Sequence, residues 1–176
     1  QEIIMKNSAN RYDLRLNVDS KIREKLRFSV KLAGLTDNSK EPSYGYSAGV
    51  GGIVLAAMRN ANTIPGPTAD GYWGRNETMH PEADLNSKSF LKNQSYNFYG
   101  NAQLVWDVAR GLKLTGQTGY TITNGRSLYF AAKYPVTANY AINVNSLTDA
   151  WTQNQGLTLR ALADYDKKIQ NHSFHL

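Results

Sequence analysis

The segment SYNFYGNAQLVWDVARGLKLTGQTGYTI, which begins at Ser95, alternates with a period of two on both sides of a tight joint. Before the joint, Tyr96, Phe98, Gly100, Ala102, Leu104 and Trp106 share one face, and Asn97, Tyr99, Asn101, Gln103 and Asp107 share the other. Side chains that alternate in this way belong to a strand, because successive Cβ atoms of extended backbone point to opposite sides. After Ala109-Arg110-Gly111 a second run places Leu112, Leu114, Gly116, Thr118, Tyr120 and Ile122 opposite Lys113, Thr115, Gln117 and Thr121. The two runs form a hairpin with glycine at its turn. Such a hairpin has one weakly polar face to cover, and either a protein core or lipid can cover it.

Further strands repeat the pattern. Arg11 to Asp19 sets Tyr12, Leu14, Leu16 and Val18 against Arg11, Asp13, Arg15, Asn17 and Asp19. Leu26 to Ala33 sets Leu26, Phe28, Val30 and Leu32 against Arg27, Ser29 and Lys31. Leu147 to Tyr165 carries Trp151, Leu157, Leu159, Ala161, Ala163 and Tyr165 opposite Thr158, Arg160 and Asp164, and a last strand starts near His172. The apolar side of these strands reads as free of charge. About six antiparallel strands are expected.

The connections alternate in length. Short turns follow Asp19, Val108 and Tyr165, whereas the stretches at about 34–94 and 123–146 read as long loops. All five prolines fall in those two stretches, as expected if ladder positions must donate an N–H. Within the first, the spacing predicts one short helix from about Ile53 to Arg59, with irregular backbone elsewhere.

The longest plainly apolar run, Ile53 to Met58, is far shorter than the roughly 20 residues of a membrane-spanning helix. There is no cysteine, hence no disulfide framework. The net charge is +6, but the basic residues are interspersed with acids, as in Lys21, Arg23, Glu24 and Lys25. That distribution lacks the basic stripe of a nucleic-acid binder.

Strand length separates lipid from a protein core. Membrane strands run to about 9–11 residues, against a usual strand of about 5–6. Lys or Arg on a lipid-facing side costs about 2–4 kcal/mol at the midplane, so an uncharged side suits hydrocarbon and a mixed side suits a watery lumen. Aromatic residues lie toward the ends of the apolar faces: Trp106 and Tyr165 near short turns, and Tyr12, Tyr96, Tyr120 and Trp151 near the long connections. Two interfacial girdles have this layout. A soluble antiparallel sandwich also alternates and is the alternative, as a carbohydrate-binding module using Tyr72 and Trp73. Single-chain bacterial barrels have at least about eight strands. About six therefore implies one part of a larger barrel domain, to which the whole of 1–176 contributes.

The run RYDLRLNVDSKIREKLRFSVKLAG resembles the early barrel region of the SusC/RagA family, the TonB-dependent outer-membrane transporters of Bacteroidetes. The likeness continues in order through the upstream EIIMKNSAN, then AAMRNANTIPGP, DGYWG, HPEADLN, SYNFYGNAQLVWDVARGLKLTGQTGY and NSLTDAWTQNQGLTLRALADYDKKIQNHSFHL, which is nearly the whole chain. It implies a barrel of about 22 strands closed by a plug, placed in the Gram-negative outer membrane and importing glycans or other oligomeric nutrients such as peptides. It also implies a SusD-like surface lipoprotein as a lid. TonB would act through a plug and TonB box that nothing in this chain matches. On this likeness Leu104, Trp106, Leu112 and Leu114 face lipid near the periplasmic end, and Gln103, Lys113, Thr115 and Gln117 face the lumen or plug.

Other chemistry is thin. Tyr72 and Trp73, flanked by Gly71 and Gly74, offer a flat platform for a sugar ring or a lid contact, or else pack the loop against its neighbours. Glu77, His80, Glu82 and Asp84 match no metal-ligand spacing, and calcium needs about 6–8 oxygens. His172 and His175 are two donors of the four that zinc usually takes. No nucleophile elbow or phosphate-binding glycine loop is present. No enzyme, cofactor or metal is expected, and Asp13, Asp19 and Asp164 read as lumen and turn residues.

Overall fold

A computed structural model describes residues 4–42, 50–74, 80–169 and 172–175. The chain is all-β, with an antiparallel sheet of long strands. In chain order these are β1 (Ser8–Arg23), β2 (Leu26–Pro42), β3 (Phe90–Ala109), β4 (Leu112–Ala131) and β7 (Ser146–Ile169), with the short β8 (His172–His175) paired to the end of β7. The sheet order β1-β2-β3-β4-β7-β8 follows the sequence, and among the described residues no pairing joins β1 to β8. Two small strands, β5 (Tyr134–Thr137) and β6 (Tyr140–Ile142), form a hairpin of their own.

The strands outrun the amphipathic pattern. β2 continues to Pro42, β3 begins at Phe90 and β4 reaches Ala131, so the long connections are shorter than 34–94 and 123–146. Ladder hydrogen bonds need only paired backbone, and they continue where apolar and polar side chains no longer alternate. The prolines therefore do not all avoid strands: Pro42 closes β2, and Pro135 lies in β5. Both positions are at strand ends or in a two-stranded hairpin, where a missing N–H is tolerated.

Helix α1 (Val50–Arg59) begins three residues before the expected start, and α2 (Pro81–Asn86) occupies backbone expected to be irregular. Pro81 suits the first turn of α2, where its missing N–H is no loss. His80 caps that end, its Nδ1 accepting the Glu82 N–H at 3.3 Å. Among the described residues no helix is long and apolar enough to cross a membrane, which leaves strands out of account.

By contact density the chain divides into two units. The first comprises Gln1–Arg11, Asp37–Ser95 and Gly125–Trp151. Its core is small: Ile53, Ala56 and Val136 are buried, and Ile4, Leu85, Tyr134 and Ile142 pack around them. Polar groups extend this core. The Tyr134 hydroxyl bonds Asp84, the Lys6 ammonium donates to the Ser87 carbonyl, and the Ala132 N–H donates to Ser89 Oγ at 2.9 Å.

The second unit comprises Tyr12–Thr36, Tyr96–Asn124 and Thr152–Leu176, and holds the amphipathic strand segments. Its turn between β3 and β4 depends on Gly111, whose φ of +84° an L side chain rarely adopts. A Cβ there would also strike the Asp166 carbonyl of β7, while the Gly111 carbonyl accepts the Asp166 N–H at 2.7 Å. Among the described residues of this unit only Thr115 is buried.

Candidate functional site

The prominent surface of the second unit is its apolar face. Gly100 on β3 faces Leu32 of β2, so the even-numbered residues of both strands lie on one side. An open depression on that side is lined by Phe28, Ala102, Leu104, Gly116, Leu159 and Ala161 among others, which adds the even residues of β4 and the odd residues of β7. Glycine and alanine form its floor, with larger side chains standing around it. No second layer covers the face among the described residues: Leu14 is 75% exposed, Leu104 42% and Leu159 74%. Phe28, Leu104 and Leu159 thus stand beside one another across a sheet without enclosing a core.

The opposite face is polar and closely interlocked. A Cβ on Gly119 would sit 3.6 Å from Thr158 and 3.8 Å from Asn101 Nδ2, and one on Gly156 would crowd Thr121 Oγ1 at 2.8 Å. Small residues here let neighbouring polar side chains fill the surface. Arg27 meets Asp107 at 3.5 Å. One groove on this face is lined by Arg15, Asn17, Lys31, Tyr99, Asn101 and Thr158 among others. A second contains Lys113 and the buried Thr115.

The aromatic residues picked out from the sequence divide as follows. Tyr12, Tyr96, Trp106 and Tyr120 are exposed in the second unit, and Tyr165 is half-exposed. Tyr96 and Tyr120 are interior to their strands instead of terminal, because β3 and β4 run on beyond them. Trp151, in the first unit, is 69% exposed.

Around Trp151 the uncharged face ends. Arg126 on β4 forms a two-point bridge to Asp149 on β7, with Nε to Oδ1 at 2.9 Å and Nη2 to Oδ2 at 2.7 Å. Its guanidinium lies 4.9 Å from the Trp151 ring centroid. By strand alternation all three belong to the side that carries the apolar row, as do Lys92 and Lys40. The expectation of a charge-free face is therefore corrected at this end of the strands, and at the other end by Lys167, which shares the Trp151 parity on β7. Asp149 was legible, since it shares the parity of Trp151 and Leu157. Arg126 was not, because the alternation had already faded before it.

The loop platform is built differently from a free stacking surface. Trp73 is half-buried, its backbone N–H donates to the Val136 carbonyl at 2.7 Å, and its ring lies 5.1 Å from the His80 ring. Tyr72 is held by a local turn: its N–H donates to Thr68 Oγ1 at 3.2 Å, and its carbonyl accepts the Thr68 N–H at 2.8 Å. Gly71, with φ +80°, makes that turn, and a Cβ on Gly74 would overlap Ile64 and Pro65. The structure thus packs Trp73 against its neighbours.

The described residues of the acidic loop set have separate roles. Asp84 is buried against Tyr134, His80 caps α2, and Glu77 lies outside the described residues. Burial, opposed by the charge of Glu82, holds the His80 imidazole below its ordinary range. His175 pairs with Asp166 across β7 and β8. Among the described residues no three ligating side chains come together to hold a metal. No protein-family model matches the chain, and no curated protein matches it.

Proposed function

We propose that this chain is part of the wall of a SusC-like, TonB-dependent outer-membrane β-barrel that imports glycans or other oligomeric nutrients. The observation that carries the reading is the uncovered apolar face. A soluble sandwich would bury Leu14, Leu104 and Leu159 under a second sheet, yet all three are exposed. Exposed contiguous apolar surface of this extent calls for lipid or a partner.

The dimensions support lipid. Tyr96 and Trp106 lie ten positions apart on β3, about 34 Å at about 3.4 Å per residue. With a strand tilt of about 45° the separation along the bilayer normal is about 24 Å, close to the apolar band of about 25 Å in outer-membrane barrels. The polar face, with Arg15, Lys31, Asn101 and Lys113, suits a lumen. The outer edge of β1 has no partner among the described residues. In hydrocarbon each such open backbone group costs several kcal/mol, so the proposal requires further strands to close the barrel.

In this function the strands supply wall, and the segments bearing α1, α2 and β5–β6 supply extracellular loops beneath a SusD-like lid. Energy would arrive from TonB through a plug. The segment has no chemical step of its own.

This chain has no cysteine of its own, so a cysteine introduced into it can be read against the unsubstituted protein as the labelling background. With Leu104→Cys or Leu159→Cys introduced into the protein in its native outer membrane, a membrane-impermeant maleimide should leave both unlabelled until the membrane is dissolved and the protein denatured. Rapid labelling of both in intact membranes, together with a protein that is monodisperse in detergent-free buffer, would overturn the proposal and favour the sandwich.

A further inference from the structure

In the first unit, the side of the sheet that carries the apolar row bears Lys40 on β2, Lys92 on β3 and Arg126 on β4. Asp149 answers Arg126 in a two-point bridge. Among the described residues no ion pair does the same for Lys40 or Lys92. The Asp107 N–H donates to the Lys25 carbonyl at 2.8 Å, and Leu32 faces Gly100, which fixes an antiparallel register between β2 and β3. Carried through without a bulge, that register sets Lys40 directly opposite Lys92. The strand limits agree, with β2 ending at Pro42 where β3 begins at Phe90.

Two ammonium groups opposite each other on one face repel. Lys40 has a second cation nearby as well: burial, and then the charge of Lys40, hold the Lys6 ammonium below the usual lysine range, against an opposing pull from Asp84. Such a pair is stable next to an anion that bridges it. The surroundings say what kind of anion. Lys92 Nζ lies 5.0 Å from the Phe90 ring centroid, Phe90 lies 5.6 Å from Phe130, and Trp151 and Leu147 stand exposed on the neighbouring strand. Cations set beside two half-buried rings, an exposed tryptophan and an exposed leucine fit an amphiphile, with an anionic head and apolar chains.

We propose that Lys40 and Lys92 hold the phosphate of a membrane lipid whose head group carries a net negative charge, and whose chains lie against Phe90, Phe130 and Trp151. The phosphate oxygens accept from both ammonium groups and remove their repulsion. Arg126, already neutralised by Asp149, keeps remaining N–H groups for the same head group or its glycerol. The site rests on the membrane reading above.

The test is lipid binding to the full-length protein that contains this chain, released from detergent and followed by native mass spectrometry. The probes are phosphatidylglycerol and phosphatidylcholine of matched chains. Wild type should bind one phosphatidylglycerol about thirtyfold more tightly than phosphatidylcholine, the scale expected of two lysines near an anionic lipid surface. Lys40→Gln with Lys92→Gln should abolish that preference, while Lys113→Gln on the polar face keeps it, all three proteins showing the same heat-modifiable folded band. Equal affinity of wild type for the two lipids, or a preference that survives in the Lys40/Lys92 variant, overturns the site. Loss of the preference in millimolar inorganic phosphate also overturns it, because the anion is then free phosphate and not lipid. A protein that binds neither lipid nor detergent and stays monodisperse in buffer refutes the membrane reading instead.

Discussion

Leu159 is the position where the two environments proposed for the apolar face differ most. Its side chain is 74% exposed on β7, six positions from Tyr165, and it borders the depression floored by Gly116 and Ala161. Replacing it by lysine removes little packing within the protein, so in water Leu159→Lys is a surface substitution, expected within about 0.5 kcal/mol of neutral. In a bilayer the same change places an ammonium group on the lipid side, at a cost of about 2–4 kcal/mol near the midplane. Taking about 3 kcal/mol, the folding equilibrium falls by about a hundredfold. Thr158→Lys is the internal control, because it puts the same charge on the polar face. The assay is reversible urea unfolding of the full-length protein in lipid vesicles, followed by the heat-modifiable band and by tryptophan emission. The reasoning is refuted if the two variants have the same midpoint, within the error of about 0.5 kcal/mol.

Three further substitutions probe local claims. Gly111→Ala forces a side chain into left-handed backbone and against the Asp166 carbonyl; the first of these alone costs about 1–2 kcal/mol, and hydrogen exchange should show faster exchange at the Asp166 N–H as the turn shifts. Val136→Ala opens a void in the hydrophobic cluster of the first unit and should cost about 2 kcal/mol, visible as faster exchange in α1 with little change at Leu104. For His80 the neutral form is favoured in the fold, so its contribution is complete above the unfolded value of 6.5 and is lost as pH falls through the lower folded value. The protection of the Glu82 and Asp84 amides, taken relative to intrinsic exchange at each pH, should fall between neutral and mildly acid pH in wild type. His80→Asn, which keeps a capping side chain, should remove most of that pH dependence, and an unchanged slope would refute the assignment to His80.

The alternation of Tyr96 to Trp106 and Leu112 to Ile122 was sufficient to determine strands, their facing and the glycine turn, because extended backbone sends neighbouring side chains to opposite sides whatever the context. Where the alternation lapses, at the mostly polar Gly34 to Pro42 and at Thr123 to Ala131, which ends with Leu128, Tyr129, Phe130 and Ala131 on both faces, periodicity carries no signal and only backbone pairing decides that the strands continue. The helix α2 was hidden for a related reason: six residues leave too short a pattern, and its cap is a histidine, which is not among the common capping residues. Tertiary structure alone brought Arg126 to Asp149 and Trp151, set Trp73 against His80, and left Leu14 and Leu159 uncovered. Sequence distance does not encode cross-strand register, and a row of apolar residues has the same period whether protein or solvent lies against it; only the fold assigns the neighbour.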